Sequence, residues 1–142
     1  MSGNGADAFS RITSPGTQAV NFNGLTMNAG NGAGAFVKID SGSTQTLTGG
    51  GGAMALTAAP GGTATIEGHS QTVTCAGCSL TLTGNSGARI LNLSGAQTVG
   101  AGSMEFFGGQ SSTTGIQNQG TGAQRVTAPS GGILLGWHAS AS

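Results

Sequence analysis

The sequence predicts an all-β protein, a parallel β-solenoid (β-helix) of about five rungs, with about 26 residues and three short strands per rung. Three observations lead there: a recurring block of that length, alternation of apolar and polar residues inside it, and glycine-rich breaks between the alternating runs.

The block is read from five glutamines, Gln18, Gln45, Gln71, Gln97 and Gln124, spaced by 27, 26, 26 and 27 residues. Two positions after each stands an aliphatic residue, Val20, Leu47, Val73, Val99 and Val126. Nine positions after each stands a second large apolar residue, Met27, Met54, Leu80, Phe106 and Ile133. A third column about 19 positions on holds Val37, Ala64, Ile90 and Ile116, and a glycine precedes each glutamine at Gly16, Gly42, Gly68, Gly95 and Gly122. A fixed period of this length marks a repeat architecture.

The strands follow from the residues within each block. Gln71-Thr72-Val73-Thr74, Leu80-Thr81-Leu82-Thr83 and Ala64-Thr65-Ile66-Glu67 alternate with a period of two, as a strand with one buried face does. Glycines 49–52, 61–62 and 108–109 separate such runs and supply corners. One coil cannot bury its own apolar side, whereas stacked coils set like on like and complete each other's backbone hydrogen bonds. The reading gives an N-terminal segment 1–15, a solenoid 16–135 and a tail 136–142.

Composition excludes several classes of function. Of 142 residues 29 are glycine and only 6% are charged, against ordinary shares of about 7% and about 25%. Four basic residues, Arg11, Lys38, Arg89 and Arg125, are scattered among the repeats and build no phosphate-binding stripe, so nucleic acid is not an expected partner. No run approaches the roughly 20 apolar residues of a membrane span. The first residues lack the basic start and apolar stretch of a Sec signal. A net charge of zero removes the repulsion that keeps protein surfaces apart.

The candidate chemical groups read mainly as structure. The glutamines share parity with the valine column, so they point inward and stack as an amide ladder, each donating to one neighbour and accepting from the other. Cys75 and Cys78 align with core columns, Cys75 with Phe22, Gly49, Ala101 and Ala128, and Cys78 with Leu25, Gly52, Met104 and Gly131. They are either two buried thiols or a local disulfide stapling a corner. A zinc site needs a second ligand pair that is missing, since His69 stands alone, and no helix is predicted that could activate a thiol. Asp40 and Glu67 share one repeat position as corner carboxylates, without a nucleophile or an oriented histidine, and His138 lies outside the repeats. No phosphate loop or triad spacing occurs, so neither an enzyme, a cofactor, a metal nor a small-molecule substrate is expected.

Threonines Thr46 and Thr48, Thr72 and Thr74, and Thr98 flank the valine column and would stack on one outer face. This Thr-x-Thr pattern resembles the flat face of β-solenoid ice-binding proteins. The stacked glutamines and the Gly/Ser/Thr/Asn-rich repeats, over about residues 16–135, resemble bacterial β-solenoid fibre subunits of the curlin and Fap functional-amyloid type. That resemblance implies an extracellular or cell-surface fibre or matrix subunit whose partners are copies of itself. Neither end reads as a charged cap, and Ile133-Leu134-Leu135-Gly136-Trp137 is the most apolar stretch, which favours head-to-tail stacking. A receptor-binding or adhesin-type module is the other reading of the same fold.

Overall fold

The structure is a computed structural model that describes residues 1–3, 7–109 and 112–137. It contains eleven strands and no helix among the described residues: β1 (Ser2–Gly3), β2 (Phe9–Ser14), β3 (Gln18–Phe22), β4 (Leu25–Ala29), β5 (Phe36–Gly49), β6 (Met54–Ala58), β7 (Thr63–Gly84), β8 (Ala88–Gly108), β9 (Gly115–Asn118), β10 (Gln124–Thr127) and β11 (Gly132–Trp137). Every pairing among the described strands is parallel and joins segments one repeat apart. The fold is a β-solenoid of about five turns.

Three faces run the length of the solenoid. The first stacks β2, the first half of β5, the starts of β7 and β8, and β9. The second stacks β3, the second half of β5, the middles of β7 and β8, and β10. The third stacks β4, β6, the ends of β7 and β8, and β11, with β1 alongside β4.

The core is the space the three faces enclose. Ile39, Ile66 and Ile90 fill it from the first face, Leu47, Val73 and Val99 from the second, and Met54, Leu56, Leu80, Leu82 and Met104 from the third. Burying each such side chain stabilises the fold by about 1.5–3 kcal/mol. Longitudinal stacking of like residues on every face lets one cross-section serve several rungs, which is why a sequence so rich in glycine still builds a closed core.

The glutamine and valine columns stand in the predicted register: Gln18, Gln45, Gln71, Gln97 and Gln124 pair in succession, as do Val20, Leu47, Val73, Val99 and Val126. Leu47, Val73 and Val99 are buried, while Val20 and Val126 on the terminal rungs are half-buried.

The second predicted column is corrected. Met54 and Leu80 stack with Leu25, Met104 and Ile133, whereas Met27 and Phe106 stack with Leu56, Leu82 and Leu135. The corner between the second and third faces is two residues shorter in the first and fourth rungs, so a fixed offset from glutamine lands one inward position too far there. A two-residue slip preserves the in–out alternation and leaves the apolar pattern unchanged. Ile133 and Leu135 are also 49% and 76% exposed, because no strand lies beyond β11 among the described residues.

The same effect divides the third column. Val37 and Ala64 stack with Ala88, while Ile90 and Ile116 stack with Ile12, Ile39 and Ile66. Pairing also reaches beyond residues 16–135: β1 and β2 lie inside the first fifteen residues, and Gly136 and Trp137 finish β11.

Candidate functional site

The most regular chemical feature is the glutamine ladder at the inner edge of the second face. Gln45 Nε2 donates to Gln18 Oε1 at 2.8 Å, Gln71 to Gln45 at 2.7 Å, Gln97 to Gln71 at 2.8 Å and Gln124 to Gln97 at 2.6 Å. The second amide proton of each interior residue faces a backbone carbonyl, Ile39 O for Gln45, Ile66 O and Leu91 O for Gln71, and Ile90 O for Gln97. The interior amides are therefore buried and fully used, as buried polar groups must be.

Gly68 makes room for the ladder. A Cβ at that position would stand 2.8 Å from Gln45 Cβ and 3.0 Å from its Oε1. A second, shorter amide contact accompanies the ladder at the neighbouring corner, where Asn92 Nδ2 donates to Asn118 Oδ1 at 2.9 Å and to the carbonyls of Ser94 and Gly95. Sequence reading passed over this pair, although its separation of 26 residues was a visible signal.

Cys75 and Cys78 form a disulfide, which decides between the two readings of the pair. Cys75 does stack between Gly49 and Ala101, but Cys78 does not share a column with Leu25 and Met104. Cys75 pairs with Ala101 and Ser79 with Ser103, so two additional residues bulge from the third rung at this corner, and the disulfide closes the bulge. Gly49 is needed beneath it, since a Cβ there would lie 2.5 Å from Cys75 Sγ and 2.8 Å from the Phe22 ring. Both cysteines are buried.

The carboxylates stack as expected, Asp40 on Glu67. Each is engaged by a cation from the preceding rung: Arg11 donates from Nε and Nη2 to Asp40 at 2.6 Å, and Lys38 Nζ to Glu67 Oε1 at 2.7 Å. Two hydrogen bonds from the guanidinium hold the Asp40 carboxyl below its usual value, with Thr13 adding a third and partial burial opposing. His69 Nδ1 lies 2.7 Å from Ser94 Oγ. No cluster of three metal-ligating side chains exists among the described residues. His138 lies outside the described residues.

Thr46, Thr72 and Thr98 form one outer column and Thr48 and Thr74 another. Ala19 and Asn21 extend these columns at one end, Gly100 and Arg125 at the other, so paired threonines occupy two adjacent rungs. Among the described residues β2 and β3 each pair only with β5, and β9, β10 and β11 each pair only with β8. Phe9 and Ile12 are exposed at one end, and Ile133, Leu134 and Leu135 at the other.

Among the described residues no helix is long and apolar enough to cross a membrane. No family model, curated protein or solved structure matches this chain.

Proposed function

We propose that the protein is a self-assembling structural subunit whose copies stack head to tail along the solenoid axis into an extracellular filament or biofilm matrix. The observation that carries this reading is the polarity of the glutamine ladder. In Gln45, Gln71, Gln97 and Gln124 the Nε2 donates to the glutamine of the preceding rung. Gln18 Nε2 makes one hydrogen bond among the described residues, to Asp40 O of the following rung at 3.2 Å, which leaves its second proton for a further acceptor, while Gln124 Oε1 accepts nothing from the described residues. A donor open at one end and an acceptor open at the other are complementary under translation along the axis.

Other features agree. In such a stack β2 lies on β9 and β3 on β10, which sets Ile12 against Ile116, Val20 against Val126 and Gln18 against Gln124. The junction then repeats the contacts between rungs, a heterologous contact that does not close. Zero net charge leaves no repulsion between copies. The disulfide fits an oxidising compartment outside the cytosol.

On the third face Ser2 and Gly3 pair with Asn28 and Ala29, the positions that Gly136 and Trp137 of a lower copy would take. Stacking there requires β1 to move aside. Electron microscopy and fibre diffraction of the purified protein test the proposal: uniform fibres with a subunit repeat of about 24 Å, five strand spacings, are expected. A monodisperse monomer at every concentration sinks it, and a monomer that shapes ice crystals moves the function to the threonine face.

A further inference from the structure

We propose that the first outer face carries a carboxylate-binding site centred on Arg89, suited to a carboxylate borne on a ring, such as a uronic acid. The proposal does not depend on the assembly reading. Outward residues on this face stand in two adjacent columns. One holds Arg11, Lys38, Thr65, Arg89 and Gly115, and the other Thr13, Asp40, Glu67, Leu91 and Gln117.

Ion pairing follows a diagonal rule. A cation in the first column reaches the carboxylate of the second column one rung further on, as Arg11 reaches Asp40 and Lys38 reaches Glu67. Applied to Arg89, the rule points at Gln117, which is neutral and turns its Nε2 to Thr113 O at 3.3 Å. Arg89 consequently has no hydrogen-bond or ion-pair partner among the described residues, and its Nε is buried without an acceptor. A half-buried guanidinium with lost hydration and no counter-ion gains from any carboxylate that can present two oxygens to it.

The surroundings can receive such a group. Arg89 lines a groove of about 340 Å³ together with Phe36, Lys38, Thr63, Thr65 and Glu67. Lys38 already neutralises Glu67, and Arg11 neutralises Asp40, so the three cations and two carboxylates of the face leave one net positive charge at Arg89. Phe36, stacked on Phe9 with ring centres 5.3 Å apart, offers an apolar wall for a ring, and Thr63 and Thr65 add hydroxyl-bearing side chains to the lining.

Calorimetric and NMR titration of the full chain with galacturonate, trigalacturonate and benzoate, against neutral galactose, tests the site. Saturable binding of carboxylates but not of galactose is expected, weakening with added salt. Preference for trigalacturonate identifies an acidic polysaccharide as the source of the carboxylate, and equal or better binding of benzoate a free small acid. Arg89→Gln should lower affinity about tenfold or more, the value of a charge-assisted hydrogen bond. Gln117→Glu supplies the missing carboxylate from within and should lower affinity likewise in a chain that keeps its circular dichroism spectrum. Absence of saturable binding by every carboxylate overturns the proposal, as does unchanged affinity in either folded variant.

Discussion

Gln97 Nε2 lies 2.8 Å from Gln71 Oε1, and both side chains are 1% exposed, so the bond between them is made where water cannot replace it. Gln71 also donates to Gln45, which makes it a link with partners on both sides. Replacing Gln71 with leucine keeps the volume and strands the Gln45 Oε1 and the Gln97 Nε2. The expected cost is about 1–3 kcal/mol, read as a lowered denaturation midpoint. An unchanged midpoint would show that the ladder contributes no stability.

The Cys75–Cys78 disulfide closes a very short loop, so it constrains the unfolded chain little. A Cys75→Ala/Cys78→Ala variant should fold with the same far-ultraviolet spectrum and lose about 2 kcal/mol. Loss of the β-signature at room temperature would show instead that the third-rung corner nucleates the stack.

Asp40 is held below its ordinary value of 3.8 chiefly by the hydrogen bonds from Arg11. A lowered folded-state value means that ionised Asp40 adds stability fully above 3.8, and that this increment is lost as pH falls through the folded-state value. Thermal midpoints of the wild type and Asp40→Asn should therefore differ at neutral pH and converge in strong acid. A gap of constant size at all pH values would remove the Arg11–Asp40 pair from the account.

β1 shields part of the β4 edge: Asn28 N donates to Met1 O at 2.9 Å and Gly30 N to Gly3 O at 2.6 Å. If copies stack as proposed, deleting residues 1–3 should shorten the lag of assembly followed by light scattering. A Ser2→Cys/Asn28→Cys lock, oxidised, should lengthen it. An equal lag in all three proteins would mean that β1 does not compete with an incoming β11.

The glutamine and valine columns were legible because they stand two positions apart on every rung and no corner intervenes. Identical side chains at one spacing then leave a single register in which amides meet amides. The candidate site was less legible. Asp40 and Glu67 could be placed on one column, but their cations lie 29 residues away in each case, joined only through the pairing of successive rungs. Arg89 carried no signal of its own, because its lack of a partner depends on what stands at Gln117 on the next rung.

The sequence by itself determined the period, the parity of each strand and the residues that stack without an intervening corner, since alternation and like-on-like burial are local properties repeated five times. Only the tertiary structure decided the length of each corner, and with it the separation of Met27 from Met54, the bulge that brings Cys75 to Cys78, and the diagonal ion pairs. The physical reason is that a strand tolerates a shift of two residues without exchanging its buried and exposed faces. Hydrophobic pattern cannot detect such a shift, and the hydrogen-bond register between neighbouring rungs must set it.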